Sequence, residues 1–219
     1  MNWKYNNNKR RMGDEESEQP NYQPIIINSS GPEYSQQISA GNIRVVENKI
    51  FFYGDIDEDT ILDLNKTLLE IDIKLQNTKN ILGEDSFTPI IHLHVSTYGG
   101  SIFAAFSTVD TIRNLKSKVY TYVDGSVASA GTLLTSIGNK RFIGQYGHML
   151  IHQLSSGVYG KFSEMEDEIY NCTNLMKLLK DFYKKNTKMP MKKLDELLKK
   201  DIWLNAEECV LYGLVDEIL

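Results

Sequence analysis

The sequence predicts an α/β protein built on a parallel sheet, and three observations carry that prediction. Strand-like and helix-like segments alternate from residue 43 onward, and only parallel strands need helical crossovers between them. The run at 90–95 reads as a buried strand, and it ends at Gly99 and Gly100. The segments between strands place apolar residues three and four apart, the spacing of a helix with one buried stripe.

Taken in order, residues 43–53 read as strand material closed by Gly54. Ile61, Leu64, Leu68 and Ile71 then mark an amphipathic helix, and the polar stretch 74–88 reads as a loop. After the strand at 90–95 comes a helix with Ile102, Phe106, Val109 and Ile112 on one face. Residues 119–123 form the next strand, and a small-residue turn leads into a helix near 130–137. A short strand region at 141–152 follows, and Ser163 with Glu166 reads as a capping box. Phe162, Met165, Ile169, Cys172, Met176, Leu179 and Tyr183 run at helical spacing over six turns. That seam suits either an oligomerisation element or a core helix. Pro190 opens a helix carrying Met191, Leu194 and Leu197, and the last helix begins at Asn205, has Glu208 three residues on and stops at Gly213. Residues 1–40, rich in Asn, Gln, Ser, Glu and Pro, offer too little apolar surface to offset ordering entropy; disorder, or ordering on assembly, is expected there. The folded domain is expected over 41–219.

A chain of 219 residues buries roughly 70% of its unfolded surface, so no disulfide or metal is needed for a core. Cys172 and Cys209 read as buried apolar residues in a reducing compartment. The net charge of -5 argues against a general nucleic-acid binder. No apolar run has the 18 or so residues of a membrane span, and residues 1–6 lack a signal-like apolar stretch. A cytoplasmic protein, or one of an organelle's matrix or stroma, is expected.

The chemistry concentrates in two places. Small residues crowd 125–132 around Ser129, just after a buried strand and at the start of a helix, where N–H groups favour developing negative charge and a substrate backbone can approach. The same composition also suits a tight helix–strand packing turn. His152 ends an apolar strand and is a candidate base for that serine. Asp195, Glu196, Asp201, Glu207, Glu208 and Asp216 are the candidate carboxylates. Asp201 is set apart by the Ile202-Trp203-Leu204 run beside it, whose apolar flank would partly desolvate it, but physical reasoning alone does not choose it over Asp195.

Val95-Ser96-Thr97-Tyr98-Gly99-Gly100 resembles the Asn-Ser-Pro-Gly-Gly turn of the Clp protease proteolytic subunits. Val127-Ala128-Ser129-Ala130-Gly131 is similar to their Ala-Ala-Ser-Met-Gly nucleophile motif, and residues 149–153 to Val-Met-Ile-His-Gln. The stretch from Asp201 through Tyr212-Gly213-Leu214-Val215-Asp216 resembles the family's C-terminal region. The resemblance covers roughly residues 43–219, with the motifs in the family's order. It implies the ClpP/crotonase-like fold of repeated β-β-α spiral units with a protruding strand–helix handle, the strand over 155–162. It further implies a serine endopeptidase with Ser129 as nucleophile, His152 as base and Asp201 as its orienter. The N–H groups of Gly100 and Ala130 would form the oxyanion hole, where a side chain on Gly100 would block the substrate. No cofactor is implied. The implied partners are further copies in stacked rings (two heptamers), a separate AAA+ ATPase of the Clp type, and unfolded polypeptide. The chain itself carries no Gly-x-x-x-x-Gly-Lys-Ser/Thr phosphate loop, so ATP hydrolysis would fall to that other chain.

The sequence departs from the family pattern in places. Ala130 replaces Met, Leu154 replaces Pro, and two glycines are reduced to Ser156-Gly157. The interval from Ser129 to His152 is about two residues short and the 74–88 loop is longer. The N-terminal region does not resemble the axial gating segment, and Lys200 stands where Arg is frequent, so ring contacts are expected to differ. Three other readings have distinct signatures. A metal enzyme would use His92 and His94 with His148 or His152; a crotonase-like acyl-thioester enzyme would lack the serine–histidine pair; an inactive or virus-assembly subunit would typically lose triad members.

Overall fold

The computed structural model describes residues 43–83 and 85–219, and the polar extension expected over 1–40 lies outside them. The alternation read from the sequence is present. It runs β1 (Ile43–Val46), β2 (Lys49–Tyr53), α1 (Glu58–Leu82), β3 (Ile90–Thr97), α2 (Ile102–Asn114), β4 (Lys118–Ala128) and α3 (Gly131–Ser136). Then follow β5 (Lys140–Ile143), β6 (His148–Leu150), α4 (Phe162–Asn186), α5 (Met191–Leu197), β7 (Trp203–Leu204), α6 (Ala206–Leu211) and β8 (Glu217–Ile218).

The sheet order is β1-β2-β3-β4-β5-β8. Every pairing along it is parallel except β1 with β2. Strand β4 forks: Tyr120 to Val123 pair with β5, while Ser126 to Ala128 pair in parallel with β6. Gly125, with φ +72°, sits between the two prongs. Strand β7 adds antiparallel to β6, so the final segments of the chain close both prongs, β7 on one and β8 on the other.

Side chains of β2, β3 and β4 up to Val123 alternate between buried and more exposed. Ile50, Phe52, Leu93, Val95, Val119 and Val123 are buried in one core with Leu64 and Leu68 of α1 and Val109 of α2. Each such aliphatic burial is worth about 1.5–3 kcal/mol before entropy is counted. The opposite face carries Phe51, His94, Tyr122 and Phe142 in a continuous stacked row, with ring centroids 4.3–4.9 Å apart.

Four expectations are corrected. The stretch 74–88 is a loop only from Gly83, because α1 runs on to Leu82. A capping box at Asp57 and Thr60 starts that helix, and its polar later turns find tertiary partners: Asp72 accepts from the backbone N–H groups of Lys116 and Ser117, and Gln76 donates to the Ser117 hydroxyl. Ser163 and Glu166 do not cap α4. The helix is capped two residues earlier, at Lys161, with Glu164 accepting from the Lys161 N–H. Residues 151–161 contain no strand, since among the described residues no neighbouring strand lies alongside to pair with them. Cys209 is buried, which pushes its thiol up to about 12, but Cys172 is only half-buried and lines an open cleft of about 780 Å³ with Leu154, Val158 and Met176. Helix α4 answers to both readings of its seam: Leu179, Phe182 and Tyr183 are buried, whereas Phe162 and Ile169 are 74% and 67% exposed. No helix among the described residues is long and apolar enough to cross a membrane.

Candidate active site

Strand register builds the site. The parallel β4–β6 pairing sets Ala128 beside Leu150, and the Ser129 N–H donates to the Leu150 carbonyl at 2.8 Å. Ser129 is therefore held beside the strand whose extension carries His152. The antiparallel β6–β7 pairing matches Met149 with Leu204 and Leu150 with Trp203. Continued by two residues, that register brings Asp201 opposite His152. A further bond, Gln153 N–H to the Leu198 carbonyl at 2.8 Å, ties the chain after His152 to the end of α5, just ahead of Asp201.

Three side chains meet there. The Ser129 Oγ lies 2.8 Å from His152 Nε2, within hydrogen-bonding distance. Asp201 Oδ1 lies 3.2 Å from His152 Nδ1. Asp195, the rival carboxylate, instead pairs with Lys180 of α4 at 2.7 Å. The expected desolvation of Asp201 is not found, for its side chain is 79% exposed. The apolar run beside it turns away: Trp203 makes an edge contact with Tyr98, and Leu204 enters the core.

Ser129 adopts φ +56°, a left-handed conformation that costs a residue with a Cβ about 1–3 kcal/mol. The turn is over-determined. Besides the N–H bond to Leu150, the Ser129 carbonyl accepts from the Thr132 N–H at 3.1 Å and the Thr132 hydroxyl at 2.6 Å. A Cβ on Gly99 would stand 2.6 Å from the Ser129 Cβ, so the absent side chain is what lets the two loops touch. Gly100, with φ +145°, is also required by the chain's own packing: a Cβ there would fall 2.1 Å from the Ile56 carbonyl oxygen. Ile56 brackets Gly100, donating to the Gly99 carbonyl and accepting from the Ser101 N–H.

Ser129, His152, Gly100 and Ala130 share a cleft of about 70 Å³, with Leu179 and Tyr183 among its other walls. The N–H groups of Gly100 and Ala130 donate to no described residue, unlike their neighbours Ser101 and Ser129. Helix α3 spans six residues, so local N–H groups rather than a long helix dipole supply the positive potential here. Sequence reasoning missed Thr132, Tyr183 and Leu150. Nothing in their local pattern distinguishes them from ordinary core residues, and their roles arise from tertiary contact.

His92 and His94 are engaged elsewhere. His92 Nδ1 is 2.7 Å from the Tyr122 hydroxyl and His94 Nδ1 is 2.9 Å from Asp124, on the aromatic sheet face. Burial foremost, then the His94 and Lys49 charges, lowers the basicity of His92. Among the described residues no group of three or more His, Cys, Asp or Glu side chains could hold a metal ion, so the metal reading lacks a ligand set.

Comparisons with known proteins agree with this architecture. The Clp protease family model matches residues 35–219. An ATP-dependent Clp protease proteolytic subunit from Cyanophora paradoxa is 30% identical over 197 residues, covering 89% of this chain and 96% of that protein. One from Streptococcus thermophilus is 31% identical over 203 residues, with coverages of 90% and 96%. Proteolytic subunit 2 from Chlamydia muridarum is 34% identical over 141 residues, 64% of this chain and 69% of that one. Among solved structures, a ClpP1 mutant from Listeria monocytogenes superposes with a TM-score of 0.67 at 23% identity over 79% of this chain and 91% of its own, a likeness of fold. A match running through the Ser129, His152 and C-terminal segments together leaves one assignment: the chain belongs to the Clp protease family of serine-type peptidases.

Proposed function

We propose that this chain is the proteolytic subunit of an ATP-dependent Clp-type protease, with its peptidase domain over 41–219 and Ser129, His152 and Asp201 as catalytic triad. The observation that carries the reading is the 2.8 Å approach of Ser129 Oγ to His152 Nε2 with Asp201 on the other ring nitrogen.

The chemistry follows from these positions. His152 carries its proton on Nδ1, facing Asp201, which leaves the Nε2 lone pair toward Ser129. Ser129 Oγ attacks the scissile carbonyl carbon as its proton passes to Nε2. The carbonyl oxygen becomes an oxyanion held by the N–H groups of Gly100 and Ala130, and Asp201 stabilises the imidazolium. Collapse breaks the C–N bond, and the departing amine takes the proton from Nε2, leaving an acyl ester on Ser129. Water then gives a proton to His152 and attacks the ester. The second tetrahedral intermediate expels Ser129 Oγ, which recovers that proton, and the carboxylic acid leaves.

The proposal extends to assembly. Copies of the chain stack as rings, two heptamers enclosing the sites, with the exposed apolar half of α4 between rings. A separate Clp-type ATPase threads unfolded polypeptide inside. The compartment is the cytoplasm or an organelle's matrix or stroma. Ser129→Ala tests the core of the reading: it should abolish hydrolysis of short fluorogenic peptides and labelling by a fluorophosphonate while assembly persists. Labelling that survives the substitution would sink the assignment.

A further inference from the structure

We propose that Tyr183 and Thr132 are positioning residues for the nucleophile, a buried relay from α4 that locks the Ser129 turn so that Oγ faces His152. The inference rests on the reading of Ser129 as nucleophile.

The relay has a fixed direction. The Ser129 carbonyl can only accept, so the Thr132 hydroxyl, 2.6 Å away, spends its single proton on it. The Tyr183 hydroxyl lies 2.5 Å from the same Thr132 oxygen and must therefore donate to it. Donation into Thr132 makes its own proton a better donor toward Ser129, as in any hydrogen-bond chain in a dry interior. The surroundings are dry, with Thr132 at 0% and Tyr183 at 1% exposure. Burial pushes the Tyr183 phenol up, so it stays protonated and keeps donating. Phenylalanine would fill the same space without burying a hydroxyl, and among the described residues Thr132 is the only hydrogen-bond partner of the Tyr183 hydroxyl.

The relay acts where strain is concentrated. Ser129 is the one non-glycine residue at positive φ in the site, and its carbonyl is the acceptor that closes the turn. A slackened carbonyl bond lets φ relax, which swings Cβ and takes Oγ off the His152 nitrogen. Tyr183 also lines the active-site cleft with Leu179, so one turn of α4 walls the cleft and braces the nucleophile.

The test compares Tyr183→Phe, Thr132→Val and Thr132→Ser, read by the rate of fluorophosphonate labelling and by kcat and KM on a short peptide. Tyr183→Phe should slow labelling and kcat about five- to tenfold, the worth of one hydrogen bond, with KM within about twofold. Thr132→Val should lose about a hundredfold, and Thr132→Ser should return to near the wild-type rate. Because both act through one path, adding Tyr183→Phe to Thr132→Val should cost little more. Labelling of Tyr183→Phe at the wild-type rate, or a change confined to KM, overturns the relay. So does a Thr132→Ser protein slowed tenfold or more. If Thr132→Val does not fold, Tyr183→Phe and Thr132→Ser decide alone. Ser129→Ala run alongside separates the two claims: if it is silent while Tyr183→Phe is unaffected, only the relay falls; if it still labels, the nucleophile assignment falls as well.

Discussion

At the scale of single residues, the unusual member of the proposed triad is its carboxylate. Asp201 stands 3.2 Å from His152 Nδ1 yet is largely open to water, where a charge pair is worth little to stability. Its proposed contribution is tautomer choice. In Asp201→Asn the amide can offer an N–H to Nδ1, which moves the imidazole proton to Nε2 and removes the base from Ser129. Turnover should fall by about three orders of magnitude or more, while the thermal midpoint barely moves. Asp195→Asn, which removes only the partner of Lys180, should change turnover little. Equal losses in the two variants would argue against Asp201. The candidates Ser129, His152 and Asp201 were legible in the sequence because Ser129 follows an apolar run, His152 ends one and Asp201 immediately precedes one. The choice of Asp201 over Asp195 was not legible physically, because it depends on a strand register that joins residues 149–150 to 203–204.

At the scale of elements, most helix starts were readable and one helix end was not. Pro190, Asn205 and Gly213 stand where local chemistry places them, at the N-caps of α5 and α6 and just past the end of α6. The overrun of α1 through the polar stretch comes from contacts some 45 residues away, which no local pattern reveals. Asp72 shows the consequence. Burial alone would raise its carboxyl, but the Ser117 side chain and the N–H groups of Ser117 and Lys116 outweigh it and hold the group below its ordinary 3.8. A carboxyl depressed in the folded state adds stability that is complete above the ordinary value and disappears as pH falls through the folded one. Asp72→Asn should therefore lower the thermal midpoint at pH 7, and the gap from wild type should narrow steadily below about pH 4. A gap that is constant from pH 7 to pH 3 would show that Asp72 acts by shape and not by charge. The missing strand at 155–162 has the opposite cause: among the described residues no strand lies alongside to complete it.

At the scale of the whole molecule, the fold class was legible because alternation and period are properties of segments, whereas the forking of β4 is a property of pairing. The proposed compartment makes a prediction about size. The purified chain should cleave short peptides unaided, and should degrade a folded reporter only with a Clp-type ATPase and ATP. Rapid degradation of the folded reporter without nucleotide would overturn the compartment even if Ser129 proved catalytic. The fork also sets a schedule. Ser129 and His152 follow β4 and β6, the two strands of one prong, but the segments that close the fork, β7 and β8, come 53 to 75 positions after the strands they pair with. During vectorial synthesis at about 5–20 residues per second, the serine and histidine emerge seconds before the aspartate can reach them. A nascent chain stalled in that interval holds the proposed nucleophile and base with no carboxylate to orient them, so on the proposed reading peptidase chemistry is a late acquisition of the folding chain, safest at the moment when it is least enclosed.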